Sequence, residues 1–133
     1  MRSGRVAQAA VKSAILLLTA ASLATADDGF ANWWPHFLAA VAKNDVNSIV
    51  DHAKFPMPWE NGPVREIKSR EEFATRFDSY FTADMKRAVA REKPVRVPEG
   101  YMITWKARGN EYSLYFHAVG KTFAVGALSE GPP

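Results

Sequence analysis

Three histidines, His36, His52 and His117, are the side chains of this sequence best suited to proton transfer near neutral pH. Each would need a partner in a cleft, so the faces on which they fall decide the matter. His36 lies off the apolar stripe of the first helical segment, His52 off that of the second, and His117 on the polar side of a strand pair. All three read as solvated surface histidines. Metal binding needs three or four converging ligands, and the sequence offers no cysteine, no H-E-x-x-H and no acidic calcium loop. With no Gly-rich phosphate loop and no G-x-S-x-G elbow, nucleotide use and serine hydrolysis are equally unexpected, and no cofactor is expected. Two carboxylates remain open. Glu60 and Glu66 fall in a proline-rich connection where no face can be assigned, and either, turned toward an apolar cavity, would gain a raised pKa suited to a general base. Trp33, Trp34, Trp59 and Trp105 with Tyr80 and Tyr101 mostly sit at core spacing, yet together they could form a sugar-stacking or hydrophobic ligand surface.

The elements that must position these groups follow from periodicity. Phe30, Trp33, Trp34, Phe37, Leu38 and Val41 repeat at the spacing of one helical face, with Asn32 as the expected N-cap so that Pro35 falls in the first turn. Asp45 caps a second, shorter helix with Val46, Ile49, Val50 and Ala53 inward, stopped by Pro56 and Pro58. Residues 55–67 read as a loop with two short extended pieces. Ser69-Arg70-Glu71-Glu72 is a capping box opening a helix with Phe73, Phe77, Tyr80 and Phe81 as its stripe, continuing from about Ala83 to Pro94.

From Tyr101 the period becomes 2. A two-residue turn at Gly109-Asn110 sets Trp105 against Leu114 and Ile103 against Phe116, and one at Gly120-Lys121 sets Phe123 against Ala118, Val125 against Phe116, and Ala127 against Leu114. Thr104, Lys106, Ser113, Tyr115 and His117 then form a wet outer face. Residues 129–133 find nothing to pack against and read as a flexible tail.

Arg2, Arg5 and Lys12 ahead of an apolar run ending Ala24-Thr25-Ala26 have the form of a secretory signal peptide over 1–26, cleaved after Ala26. A periplasmic or secreted location follows, with no stable membrane anchoring after cleavage. What is left of the 133 residues is one α+β domain over 27–128 plus the tail. The leader takes three basic residues of seventeen and no acid, which leaves fourteen against fourteen. A neutral domain gives no basic face for nucleic acid. It does favour self-association, and the face of Thr104, Lys106, Tyr115 and His117 is where a homodimer contact is expected.

Two helices, a short hairpin, a third helix opening at Ser69 and antiparallel strands to the C-terminus form an order that resembles the nuclear-transport-factor-2-like superfamily, which includes the SnoaL-type cyclases and ketosteroid isomerases. The residues carrying it are F-A-N-W-W-P-H-F-L-A-A-V-A-K-N-D-V-N-S-I-V from Phe30 and I-K-S-R-E-E-F from Ile67 to Phe73. The resemblance implies N-terminal helices packed on a curved antiparallel sheet, a cystatin-like cone around an apolar pocket. Here that pocket is expected to be lined by Trp34, Phe37, Tyr80, Tyr101, Trp105 and Phe116. The faces assigned inward offer Tyr80, Tyr101 and Tyr112 but no ionisable base, so the expected role is non-catalytic binding of a small apolar ligand or a protein partner. The alternative is an isomerase or cyclase with Glu60 or Glu66 as base and Tyr80 or Tyr101 as donor.

Overall fold

The computed structural model describes residues 28–133; the signal-peptide reading lies outside them. Helix α1 spans Phe30–Ala42 and α2 Val46–Asp51. Strands β1 (Met57–Glu60) and β2 (Glu66–Ile67) form the short hairpin, followed by α3 (Arg70–Thr75), α4 (Phe77–Tyr80) and α5 (Ala83–Arg91). Strands β3 (Val95–Val97), β4 (Gly100–Ala107), β5 (Asn110–Val119) and β6 (Thr122–Gly131) complete an α+β fold. The six strands lie in the order β2-β1-β6-β5-β4-β3. The expected antiparallel sheet is in fact mixed, because β1 runs parallel to β6, with Trp59 beside Leu128 and Glu60 beside Ser129.

Helix α1 begins three residues earlier than its composition suggested. Gly29, with φ of 85°, turns the chain into the helix, and the Asp28 carboxylate accepts from the Phe30 N–H at 2.9 Å, so Asp28 rather than Asn32 supplies the cap. Pro35 therefore falls in the second turn, where it denies the Ala31 carbonyl its partner; both residues are exposed, which leaves that carbonyl open to solvent. Asp45 and Ser69 cap as expected, accepting from the Ser48 and Glu72 N–H groups. The helix opened by Ser69 is broken at Arg76 and again at Phe81, and Thr82 caps α5 afresh through the Met85 N–H. Three short helices replace the continuous one because their stripe, Phe73, Phe77, Tyr80 and Phe81, bends around the sheet and keeps all four rings buried.

On the sheet the predicted faces hold up to the bulge near Tyr115, beyond which Ala127 turns outward and Leu128 inward, and three partnerships move. The first hairpin turns on Arg108-Gly109, both with positive φ (52° and 80°), as a two-residue turn of the primed kind requires. Trp105 therefore faces Tyr112 and Ile103 faces Leu114. The displacement is an even number of residues, so no side chain changes face. The second hairpin turns at Gly120-Lys121 with Phe123 opposite Ala118, and a bulge near Tyr115 then carries Leu128, in place of Ala127, opposite Leu114. This bulge also corrects the expected tail. Ser129 and Glu130 are paired with Ser113 and Tyr112, so residues 129–131 end the longest inner strand instead of fraying.

The core is aromatic. Phe30 stacks on Tyr101 with ring centroids 3.8 Å apart, and Trp33 stacks on Phe37 at 5.0 Å above Phe116 and Phe123. On the outer face Val95, Met102, Tyr115 and Ala127 are successive cross-strand partners, an apolar row on the surface expected to make a homodimer contact.

The face assignment has a direct test. Phe116 is fully buried and Lys106 exposed, so Phe116→Ala should cost about 3–5 kcal/mol and Lys106→Ala under about 0.5 kcal/mol. Urea unfolding of the two variants reads this, and equal midpoints would show the faces to be inverted.

Candidate functional site

The six residues expected to line one pocket occupy two places. Trp34, Phe37, Tyr101 and Phe116 belong to the α1 stack, where Phe30 and Trp33 fill the space between them and Phe37 and Phe116 are fully buried. The interior of that stack is closed, and the open space at that end, a surface cleft of about 630 Å³ between Asp28, Arg96, Glu99 and Lys121, takes none of these four rings into its lining. The Tyr101 hydroxyl donates to Asp28 at 2.5 Å and receives from Arg96 at 3.3 Å, closing the N-terminal end of α1 against the sheet. Burial, followed by the hydrogen bond to Asp28, pushes the Tyr101 phenol above its ordinary pKa.

Tyr80 and Trp105 lie at the other end, where they line a cleft of about 460 Å³ with Trp59, Met85, Tyr112 and Glu130. The volume lies in the usual range for ligand pockets, roughly 300–1,000 Å³. Three features of the fold build it. Trp105, Tyr112 and Glu130 are successive cross-strand partners on β4, β5 and β6, and the first two rings stack at 5.6 Å. Trp59 alternates inward on β1 and meets Tyr80 edge to face at 5.7 Å. Gly62, in the β1–β2 loop, lies directly on the Trp59 indole, and a side chain there would collide with that ring.

Polar groups complete the cleft. The Trp59 indole N–H donates to Glu130 Oε1 at 3.1 Å, and Arg108 Nη2 donates to the Tyr112 hydroxyl at 3.2 Å. The Arg108 guanidinium also lies 5.7 Å from the centre of the Tyr112 ring and 3.8 Å from an Asp84 oxygen. Its hydrogen bond to Tyr112, with Asp84 and Glu130 adding to it, strengthens the cation and raises its pKa. The Tyr80 hydroxyl is turned away, donating to Glu72 at 2.7 Å and lowering that carboxylate's pKa.

Neither carboxylate singled out from the sequence enters this cleft. Glu60 and Glu66 fall at exposed positions of β1 and β2, because the inward positions of those strands belong to Met57, Trp59 and Ile67. Neither can act as a base on a molecule held in this cleft. The inward carboxylate is Glu130, hidden from sequence reading because it follows the last apolar residue, Leu128, and precedes Gly131-Pro132-Pro133. Arg108 was missed with it, since the turn was placed one residue too late. Among the described residues no group of three metal-ligating side chains converges.

Of the histidines, His36 is exposed and His117 lies on the outer face over Gly126, as expected. His52 differs: it is half-buried and accepts at Nδ1 from the Trp33 indole N–H at 3.1 Å. It is a structural acceptor, and its ring proton resides on Nε2.

No family model matches this chain, and no curated protein does. Among solved structures it is similar to a nuclear-transport-factor-2-like protein of unknown function from Shewanella oneidensis MR-1, at 9% identity and a TM-score of 0.45 over 80% of this chain and 98% of that one. It is also similar to a substituted variant of a protein designated Rd1NTF2_05, at 11% identity and a TM-score of 0.42 over 73% of this chain and 91% of that one. The α+β architecture, helices on a mixed sheet, rests on this chain's own strand pairing, and an architecture says nothing of activity.

Burial holds the His52 pKa below its ordinary 6.5, so folding favours the neutral ring. The unfolded chain then binds the extra proton first, and stability is complete above about pH 6.5 and falls as pH drops through the lower folded value. Urea midpoints measured from neutral to mildly acid pH should decline, and His52→Gln, which keeps an acceptor for Trp33, should flatten that decline. An unchanged slope in the variant would assign it to other groups.

Proposed function

We propose that the chain is a non-catalytic binding domain whose cleft between the β1–β2 loop, α4–α5 and the ends of β4–β6 takes a small ligand with an apolar face. The observation carrying this reading is the convergence of Trp59, Trp105 and Tyr112 on one open cavity, with two anchored charged groups among them. Rigid aromatic walls with a few fixed polar groups are the general form of a ligand pocket. The cleft is amphipathic, so the ligand is not the purely apolar one expected from the sequence.

An NMR screen with neutral ring-containing fragments tests it. Binders should shift the Trp59 and Trp105 indole N–H signals, and Ser79→Trp, an exposed mouth residue enlarged to fill the opening, should abolish the shifts in a folded protein. Persistence of the shifts in that variant, or no fragment perturbing either indole, would refute the cleft as the site.

One observation favours an enzymatic second reading: Glu130 is an inward carboxylate near Tyr112, whose own hydroxyl proton is free because the oxygen only accepts from Arg108. Glu130 would be the base and Tyr112 the donor, in place of the sequence-derived pairs. The arrangement suits a base poorly, since one carboxylate oxygen is already occupied by the Trp59 N–H. Deuterium exchange alpha to the carbonyl of a cyclic ketone, lost in Glu130→Gln, would carry this reading; exchange no faster than buffer would end it.

A further inference from the structure

The cleft's charges narrow its ligand beyond the binding reading on which this inference rests. Glu130 sits at an inner-face position of β6, in a row otherwise made of Trp105 and Tyr112, and its carboxylate is fixed by the Trp59 indole at 3.1 Å. Arg108 projects over the same row from a residue with φ of 52°. A non-glycine residue in that left-handed region costs roughly 1 kcal/mol, and asparagine would be the better residue for this turn. A strained side chain that reaches a cleft invites a functional explanation.

Each class of ligand meets these two groups differently. A wholly apolar molecule would cover Glu130 and Arg108 without pairing them, and an unpaired charge taken out of water is costly. An organic anion would face Glu130, and an organic cation would face Arg108. A neutral molecule bearing adjacent hydroxyls satisfies both at once: one hydroxyl donates to the carboxylate, its neighbour accepts from the guanidinium, and charge assistance strengthens both bonds. Its apolar side would meet what Trp105 and Trp59 leave open at the cleft, their ring faces being covered by Tyr112 and Gly62. Asn61, Ser79 and Thr82 place further donors and acceptors around the opening. We propose that this cleft is a carbohydrate-binding site, taking a neutral sugar ring through Glu130, Arg108 and the polar groups of the mouth, with Trp105 and Trp59 beneath it.

Titration with a panel of neutral mono- and disaccharides, read by tryptophan fluorescence and by the Trp59 and Trp105 indole signals, tests it. At least one sugar is expected to bind saturably. Glu130→Gln, which retains an acceptor for Trp59, should weaken it about tenfold or more through loss of a charged hydrogen bond. Arg108→Asn should weaken binding by a similar factor while raising the urea midpoint, since asparagine suits the turn; Lys106→Ala on the outer face should change neither. A purely structural role for Arg108 would instead lower the midpoint in Arg108→Asn. Aromatic fragments shifting the indoles while every sugar fails would overturn the carbohydrate assignment and leave the binding reading standing. If neither sugars nor fragments register, both are overturned.

Discussion

Everything in this domain depends on the contact between the aromatic stripe of α1 and the inner face of β4–β6. With no disulfide available, the stack of Phe30 on Tyr101 and of Trp33 on Phe37 above Phe116 and Phe123 must hold helix to sheet unaided. Aromatic rings suit the task because each buries a large apolar area with few rotatable bonds. Two polar ties fix the helix: Asp28 to Tyr101 and Arg96 joins its start to the sheet, and Trp33 to His52, one turn further on, joins it to the end of α2. Packing there leaves Phe37 and Phe116 fully buried, so neither ring is open to a ligand, whereas the far end of the sheet keeps a cleft with aromatic lining.

The cleft is what remains where the helical layer fails to cover the sheet. Helix α1 covers one end, and the broken run α3–α5 wraps the other without closing over Trp105 and Tyr112. Breaks at Arg76 and Phe81 keep Phe77, Phe81 and Met85 in the core while leaving Ser79 and Thr82 at the mouth. The same bends turn the Tyr80 hydroxyl back to the capping-box glutamate, so that Tyr80 contributes a ring edge to the cleft and no donor. A fold stabilised mainly at one end can keep a polar, partly open cavity at the other.

Sequence reasoning recovered what local periodicity controls. The helix faces, the Asp45 and Ser69 caps and the hairpin faces as far as the bulge were legible because spacing alone decides which side chains share a face, and the bulge that turns Ala127 outward has no such signal. Misplacing the turn by one residue at Arg108 moved every partner of Trp105 and Ile103 yet left their faces correct, since pair positions shift by two. Non-local features were not legible. The parallel pairing of β1 with β6 joins residues about seventy positions apart and has no turn signal to announce it. The fate of Glu130 depended on two such features: the bulge near Tyr115 carries it opposite Tyr112, and the parallel pairing brings Trp59 to hold its carboxylate. Pooling the aromatic residues into one pocket failed for a related reason: spacing shows that Phe37 and Trp105 both point inward, but not that the length of the sheet separates them.

That parallel pairing also sets the order in which the molecule can come into being. Strand β1 precedes its neighbour β6 by about sixty residues, with α3–α5 and β3–β5 made between them. Long-range pairing of this kind must wait for loop closure across all of those elements. During vectorial emergence from a ribosome, the Trp59 hairpin therefore has no edge to join until Glu130 has cleared the exit. No chain emerged only as far as β5 can hold the cleft: its helices and first hairpin are complete, and the strand that carries Glu130 is not.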